Sequence, residues 1–343
     1  MQLEAMSKAN RMRYVIYGAG GVGGTIGARL QMAGSNVLFI ARGEHGRVLR
    51  QQGLRFVSPD GPVQLAVQVV DHPRALTFDA QDVVLLCMKS QHTAAALVDL
   101  CAAVGPNLQS QLALVCAQNG VANEPLALRS FRNVYAMLVQ LPATHLQPGE
   151  VVTSAVDCGG VLDTGRFPVG VDEVAQRLCA DLVQAGFAAE PDAAVMDKKY
   201  GKLLTNLGNG PQALLARAEL QSEAGRALLR RLKQEALACF DAARIRCASR
   251  EAMMQLVTQI GYREVPNYPR QGGSSWQSLQ RGSGDIELDY LNGEVVSLGR
   301  MHGVPTPANE ACQQLGLALA AAGGAPGSVS LATLEQRIAE LTA

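Results

Sequence analysis

The chain has 343 residues, and its 30 lysine and arginine residues balance 30 aspartate and glutamate residues. This balance gives no overall field that would attract nucleic acid or an anionic membrane, so a small-molecule partner is expected. Apolar runs such as those over 83–88 and 112–116 are far shorter than the roughly 20 residues that cross a bilayer, and no transmembrane helix is expected. A chain of this length favours two domains.

The N-terminal segment mixes charged and polar residues and lacks the apolar core of a signal peptide. We therefore predict a disordered lead over residues 1–12 and a cytoplasmic protein. Eight cysteines are present, without a C-x-x-C pair or a histidine at metal-ligand spacing. They are interpreted as reduced core thiols, and no metal site is expected.

Strand-like runs alternate with helix-like stretches in the first half of the chain. A strand over 14–17 is followed by glycine-rich sequence, a helix over 25–33 and a second strand over 36–41. This alternation predicts an α/β fold, a Rossmann-type doubly wound parallel sheet, over residues 13–190. Further strand runs lie at 65–70, 83–87 and 112–116, later strands or a hairpin at 151–155 and 159–171, and a helix at 174–185.

Over residues 191–343, stretches rich in Ala, Leu, Arg and Gln replace the strand runs and predict an all-α second domain. Thr306 is predicted to cap one of its helices, with Pro307 at the first position. The preceding helix is predicted to stop by Gly303 and to share one apolar face among Leu288, Leu291, Val295 and Leu298.

The sequence from Gly18 to Gly23 matches G-x-G-x-x-G and stands between a predicted strand and a predicted helix. In that setting Gly18 forms the tight turn, Gly20 lets the backbone approach a pyrophosphate, and Gly23 allows close packing of helix on strand. The helix N-terminus then faces the phosphates. The predicted dinucleotide-binding residues are Gly18, Ala19, Gly20, Gly21, Val22 and Gly23.

The residue after the second strand indicates which dinucleotide is bound. An acidic residue would hold the 2′-hydroxyl of NAD about 20 residues past the motif, but the chain has Arg42 there. A guanidinium at this place pairs with a 2′-phosphate, and Lys89, after the strand run over 83–87, would add a second cation. NADPH is therefore the expected cofactor, although an exposed loop arginine would give the same sequence.

A lysine and two amides recur at helical spacing in the second domain. At 100° per residue, Asn206 lies about 40° and Asn209 about 20° from Lys202, which predicts all three on one helix face. An ammonium beside amide donors can orient a keto acid and protonate the alkoxide that hydride addition creates. Lysine and asparagine also commonly form the solvent-facing side of a helix.

Together these motifs resemble those of the ketopantoate reductase (2-dehydropantoate 2-reductase) family over about residues 13–320. The glycine motif, Arg42, Lys89 and the Lys202-x-x-x-Asn206 pair carry the resemblance. Further matching segments are Gln118-Asn119-Gly120, Gly273-Ser274-Ser275 and Ile286-Glu287-Leu-Asp289-Tyr-Leu-Asn292-Gly293.

The resemblance implies a hydride transfer from NADPH to ketopantoate that yields pantoate, a step of pantothenate biosynthesis. It implies that Lys202 is the catalytic proton donor and that Asn119, Asn206 and Ser275 bind the substrate. Glu287 would help to position the cofactor, and Asn119 would also lie against it. Asn209 is included among the substrate residues because its side chain could still reach the face of Lys202.

The sequence departs from the family pattern at positions that concern the substrate. The family usually has a second substrate asparagine directly before a proline, but here Gly210 precedes Pro211 and Asn209 stands one residue early. The stretch from Trp276 to Leu279 replaces an expected Met-x-Gln-Asp, and Gly284 stands where an arginine is common. A 2-keto acid of different size or charge is therefore an open alternative to ketopantoate.

Without the resemblance, three candidate residues have ordinary structural interpretations. Asn119 could be a turn residue, Ser274 or Ser275 a helix N-cap, and Glu287 a first-turn carboxylate favoured by the helix dipole. Two other functions also stay open: a NADP(H)-dependent dehydrogenase of another hydroxy acid or an imine, and a non-catalytic NADP(H) sensor. The apolar helices of the second domain leave a homodimer open as well.

Overall fold

The computed structural model describes residues 12–268, 272–282 and 284–342. The chain forms two compact units, one comprising 1–119, 123–196 and 251–269 and the other 120–122, 197–250 and 270–343. Apart from Met12, the predicted disordered lead lies outside the described residues. Across those described ranges, no helix combines the length and the apolar character needed to cross a membrane.

Strands and helices alternate through the first part of the chain, as expected. They are β1 (Arg13–Tyr17), α1 (Gly21–Met32), β2 (Asn36–Ile40), α2 (Gly43–Gln52), β3 (Leu54–Ser58), β4 (Gly61–Leu65), β5 (Gln68–Val70), β6 (Asp82–Leu86), α3 (Thr93–Gln109), β7 (Ala113–Cys116), α4 (Asn123–Leu128), β8 (Asn133–Met137), β9 (Ala143–Thr144), β10 (Glu150–Thr153), β11 (Ala155–Val156), β12 (Thr164–Arg166) and α5 (Glu173–Gln184).

The first unit is built on a seven-stranded sheet with the order β12-β8-β7-β6-β1-β2-β5. Neighbouring strands from β8 to β5 are parallel, and only β12 runs antiparallel, at the β8 edge. The strands that follow β1 in the chain, β2 and β5, lie on one side of β1 in the sheet, whereas β6, β7 and β8 lie on its other side. The strand order therefore reverses at β1. Doubly wound sheets bind ligands outside the carboxyl ends of the strands at such a point. The predicted Rossmann-type fold is confirmed.

Both faces of this sheet are buried, which explains why its strands are almost continuously apolar. Tyr14 and Ile16 of β1 pack into one core with residues of α1 and α5. Val15 and Tyr17 of the same strand pack into a second core with residues of α3 on the opposite face.

A second sheet, with the order β4-β3-β10-β9, corrects two sequence predictions. The run over 65–70 is not one strand, because Leu65 ends β4 in the second sheet while β5 forms the edge of the large sheet. The predicted strand over 151–155 is mostly β10, which also belongs to the second sheet. The sequence interpretation did not identify β3, which Arg55 interrupts, or β8, although residues 134–139 form an apolar run.

The chain then continues mainly as helices. They are α6 (Val195–Asn206), α7 (Asn209–Leu214), α8 (Arg217–Gln221), α9 (Glu223–Ala242), α10 (Arg250–Thr258), the two-residue strand β13 (Gly261–Tyr262), α11 (Ser274–Gln280), α12 (Asn292–His302), α13 (Pro307–Ala321) and α14 (Leu331–Thr342).

Residues 251–269, which the sequence assigned to the helical domain, instead pack within the first unit. The reason is that β13 pairs antiparallel with β11, and the Tyr268 hydroxyl donates a 2.7 Å hydrogen bond to the Glu150 carboxylate. A two-residue strand leaves no periodic pattern in a sequence, so this return could not be predicted.

In the second unit, the apolar face predicted from Leu288 to Leu298 is not on one helix. A short 3-10 helix, Leu288–Tyr290, is separated from α12 by Leu291, whose φ of −116° and ψ of −86° are not helical. The predicted end at Gly303 is confirmed, since this residue has a φ of 68°.

The start of α13 at Pro307 also follows the prediction, but its capping group differs. Thr306 occupies the N-cap position without a side-chain hydrogen bond. Instead, the Glu235 carboxylate accepts from the backbone N–H groups of Ala308 at 2.9 Å and Asn309 at 3.0 Å. A carboxylate from α9 therefore satisfies the helix terminus, which local sequence could not indicate.

Candidate active site

The glycine motif forms the turn between β1 and α1. Gly18 has a φ of +103°, and a Cβ atom there would stand 2.9 Å from the Met88 backbone nitrogen. A Cβ atom on Gly23 would stand 2.1 Å from the Gly18 carbonyl oxygen, so both positions require glycine. At Gly20 a Cβ atom would meet nothing within 4 Å. The turn is tightly packed on its inner side and open at Gly20, the N-cap of α1, which fits a pyrophosphate group.

The other cofactor candidates of the first unit follow neighbouring parallel strands. Arg42 is exposed and occupies the N-cap position of α2, directly after β2. Lys89 is partly buried three residues after β6, and Asn119 lies three residues after β7. Because carboxyl ends of parallel strands share one edge of a sheet, the fold brings these residues and Gly18 to the same edge.

A buried polar network joins the two loops that carry Lys89 and Asn119, and the sequence interpretation missed it. The Gln118 side-chain amide donates to the Thr93 hydroxyl at 2.8 Å and to the Met88 carbonyl at 2.9 Å. Thr93 in turn donates to Asn123 at 2.8 Å, and the Asn123 amide donates to the Ser90 hydroxyl at 3.1 Å. Such a largely buried network fixes loop positions. Its only sequence signal was polar residues close to apolar strand runs.

In the second unit, Lys202 and Asn206 lie one turn apart on α6, as predicted. Asn209 does not continue that helix, because α6 ends at Asn206 and Asn209 is the first residue of α7. The single continuous helix from which the common face was predicted is therefore not present. The side-chain oxygen of Asn209 lies 2.8 Å from the place that a Cβ atom on Gly273 would occupy.

Ser275 belongs to α11, which packs beside α7. The Gly273 backbone N–H at the start of α11 donates a 2.7 Å hydrogen bond to the side chain of Gln212 on α7. Gly273 is the N-cap residue, so neither Ser274 nor Ser275 has the N-cap role that the sequence left open. Ser275 is 2% exposed inside the helix.

The electrostatic surroundings of Lys202 favour loss of its proton near neutrality. The pKa of Lys202 is lowered to about 7, mainly by burial and also by the positive charge of Lys199, while the negative charge of Glu287 acts in the opposite direction. Glu287 is itself buried, precedes the 3-10 helix Leu288–Tyr290 and makes no side-chain cap. A lysine with such a pKa can exchange a proton at neutral pH.

Three of the predicted substrate residues carry a buried polar atom that has no hydrogen-bond partner in the protein. These atoms are Oδ1 of Asn119 in the first unit, and Nδ2 of Asn206 and Oγ of Ser275 in the second. Most buried polar atoms in folded proteins are hydrogen-bonded, so each exception is a candidate for an atom that a ligand or an ordered water satisfies.

Within the described residues, no group of three or more histidine, cysteine, aspartate and glutamate side chains is arranged to hold a metal ion. The eight cysteines are free thiols, and four of them are fully buried.

Comparison with known proteins adds two family models and several relatives. The model described as ketopantoate reductase PanE/ApbA matches residues 14–166, and the model of its C-terminal domain matches residues 194–319. A 2-dehydropantoate 2-reductase of Mesorhizobium japonicum is 28% identical over 325 residues, covering 88% of this chain and 95% of that protein.

Solved structures agree with the same fold. A PanE/ApbA family ketopantoate reductase from Ralstonia eutropha JMP134 is 27% identical, with a TM-score of 0.76 over 91% of this chain and 99% of that one. D-mandelate dehydrogenase, solved with NADH and anilino(oxo)acetate, is 21% identical with a TM-score of 0.76 at the same coverage, and shows the fold alone. This chain belongs to the ketopantoate reductase family, whose members are oxidoreductases that act on CH–OH donors.

Proposed function

We propose that this protein reduces ketopantoate, or a closely related 2-keto acid, with NADPH as the hydride donor. The proposal rests above all on Lys202, a lysine whose pKa is lowered to about 7 and which shares α6 with the unpartnered amide of Asn206. An acid of this pKa is suited to protonating an alkoxide at neutral pH.

The nucleotide-binding part of the proposal concerns the first unit. The open backbone at Gly20 and the N-terminus of α1 would hold the pyrophosphate, and Arg42 would pair with the 2′-phosphate of NADPH. Lys89 adds a cation at the same sheet edge, and Glu287 of the second unit completes the proposed cofactor set. When bound, the nicotinamide supplies a hydride to the 2-keto carbon.

The protein's own side chains orient the acid and manage the proton. Lys202 donates a proton to the oxygen of the reduced carbonyl, and its positive charge stabilises the alkoxide before transfer. Asn119, Asn206 and Ser275 would use their unpartnered atoms to bind the polar groups of the substrate. Asn209 is retained as a fourth substrate contact because its side chain lies near Gly273, two residues before Ser275.

The direct test mixes the purified protein with NADPH and ketopantoate and follows the absorbance of the reduced nicotinamide. Oxidation of NADPH with formation of pantoate is expected. Turnover of another 2-keto acid but not of ketopantoate would reject ketopantoate as the substrate, while the proposed reaction class would stand. Tight NADPH binding without turnover of any 2-keto acid, hydroxy acid or imine would favour a sensor.

A second substrate candidate is a 2-keto acid with a bulkier tail than ketopantoate. A cavity of about 550 Å³ in the second unit is lined by Gln212, Gly272 and Trp276, among others. Gln212 accepts a hydrogen bond from Gly273, two residues before Ser275, and Trp276 directly follows Ser275. Trp276 is also one of the departures from the family pattern. The same assay with a series of 2-keto acids of increasing tail size tests this candidate. A kcat/KM that rises with tail size would support it, and a maximum at ketopantoate would reject it.

A further inference from the structure

His45, a histidine outside the family motifs described above, bridges two backbone segments of the first unit. It lies on α2, and its Nε2 atom is 2.8 Å from the Ala19 carbonyl oxygen. Its Nδ1 atom is 2.9 Å from the backbone nitrogen of Gly149. Since a backbone N–H can only donate, Nδ1 must be the acceptor, and the single ring proton is then on Nε2 and donates to Ala19.

The two segments that His45 bridges are far apart in the sequence. Ala19 is the second residue of the glycine motif, between β1 and α1, whereas Gly149 lies in the loop before β10. Gly149 has a φ of +79°, and a Cβ atom there would stand 2.4 Å from a methyl carbon of Val48 on α2. A glycine at position 149 is therefore what allows its backbone N–H to reach the imidazole.

The neutral form of His45 is favoured by its surroundings. Burial lowers the pKa of His45 to about 4, and the neighbouring His145, whose ring centroid is 4.2 Å away, acts in the same direction. A protonated ring would carry hydrogen on both nitrogens and could not accept from Gly149. At neutral pH the side chain therefore serves as a hydrogen-bonding bridge and not as a cation for phosphate.

We propose that His45 is a positioning residue for the dinucleotide, holding the Gly18–Gly23 turn in the shape that leaves Gly20 open. The inference rests on the nucleotide site proposed above, and it adds a residue that does not touch the nucleotide. Because His45 lies three residues after Arg42 on the same helix, one side chain fixes the pyrophosphate turn to the helix that carries the proposed 2′-phosphate contact. Loss of the hydrogen bond between His45 and Ala19 would weaken NADPH binding without removing any ligand contact.

Three substitutions separate the two hydrogen bonds. His45→Gln places an amide N–H near the position of Nε2 and can keep the bond to Ala19, whereas His45→Asn places an acceptor near Nδ1 and keeps only the bond to Gly149. His45→Ala removes both. His72→Ala is the control, because His72 accepts from Arg74 N–H, at 3.1 Å, within its own loop.

The primary measurement is the dissociation constant of NADPH, obtained by calorimetry in the absence of substrate. Loss of one neutral hydrogen bond should raise the dissociation constant of NADPH about 2- to 10-fold in the Ala and Asn variants. The Gln variant should change it by less than about 2-fold, and the control should not change it. Hydrogen exchange of the nucleotide-free protein gives a second readout. Amides of residues 19–24 should exchange faster in the Ala and Asn variants than in the Gln variant.

The outcomes distinguish this inference from the function on which it rests. Unchanged affinity and exchange in the Asn and Ala variants would overturn the positioning role while the nucleotide site stands. Equal weakening in Gln and Asn would also overturn it, because ring packing and not the Ala19 bond would then be responsible. Failure of the unsubstituted protein to bind NADPH would overturn both. If the Ala variant does not fold, the comparison of the Gln variant with the Asn variant still tests whether the hydrogen bond to Ala19 positions the turn.

Discussion

The side-chain oxygen of Asn292 lies 2.9 Å from the place that a Cβ atom on Gly210 would occupy. Asn292 is fully buried, and its amide nitrogen donates to Leu207 O at 3.3 Å and to Asn309 Oδ1 at 3.0 Å. Any side chain larger than glycine at position 210 would therefore require Asn292 to shift in this chain. Position 210 therefore packs against the interior of the second unit.

Gly210→Ala should destabilise the protein because its Cβ atom would press on Asn292, which is held in place by its hydrogen bonds. We expect the free energy of unfolding, measured with urea, to fall by about 1–3 kcal/mol. Gly208→Ala is the matched control, since its Cβ atom would stand 3.6 Å from the nearest atom and its φ of −68° suits alanine. That change should be neutral or stabilise by about 0.4–1 kcal/mol. Equal effects at both positions would contradict the packing argument.

Lys202→Ala should remove the proton donor and lower kcat for the 2-keto acid by about 10²- to 10⁴-fold. NADPH affinity should stay within about 2-fold, because the cofactor contacts proposed here do not include this lysine. Lys202→Arg should recover little activity, since a guanidinium does not release its proton near neutrality. Lys233→Ala, which removes an exposed lysine of α9, is the control for turnover. Unchanged kcat in the Ala variant would reject the mechanism.

The pH dependence of reduction should follow the charge neighbours of Lys202. Activity is carried by the protonated lysine, so kcat/KM should fall as the pH rises through about 7. Glu287→Gln removes the negative charge that raises the pKa of Lys202, and the falling limb should move to lower pH. Lys199→Met removes a positive charge that lowers this pKa, and the limb should move to higher pH. Shifts of the same sign in both variants would show that another group titrates.

Ser275→Ala should separate a substrate contact from a structural hydroxyl. The Ser275 Oγ atom is buried without a protein partner, so its removal should leave the free energy of unfolding unchanged or raise it by up to about 1 kcal/mol. KM for the keto acid should nevertheless increase about 10-fold, the effect of losing one hydrogen bond to a charged group. Ser278→Ala should instead lower stability by about 1 kcal/mol, because the Ser278 hydroxyl donates to Ser274 O at 3.0 Å. A loss of stability in both variants, with no rise in KM for Ser275→Ala, would make Ser275 structural.

Arg42→Ala should discriminate between the two nicotinamide cofactors. Loss of a charged hydrogen-bond partner should raise the dissociation constant of NADPH about 10- to 100-fold and leave that of NADH almost unchanged. Arg50→Ala, at an exposed arginine in the last turn of the same helix, is the control for general charge effects. A similar loss of affinity for NADPH and for NADH would show that Arg42 does not contact the 2′-phosphate.

Local patterns in the sequence were sufficient for the Rossmann-type sheet, the glycine turn and the pairing of Lys202 with Asn206 on one helix. Each depends on residues close together in the chain: buried parallel strands are apolar on both faces, Gly18 needs a positive φ, and residues four apart share a helix face. The same locality explains the mistake at Asn209. Helical spacing continues through Leu207 and Gly208 in the sequence, but α6 ends at Asn206 and a separate helix begins at Asn209.

Only the tertiary structure decided the features that depend on residues far apart in the chain. The lowered pKa of Lys202 requires burial and the approach of Glu287, which is 85 positions away by residue number. The contact of His45 with Ala19 and Gly149 and the collision of position 210 with Asn292 join segments with no common periodicity. A sequence determines which groups a protein has and their local geometry. Desolvation and long-range contacts, which set the pKa values of those groups and the space around them, arise only when the chain packs.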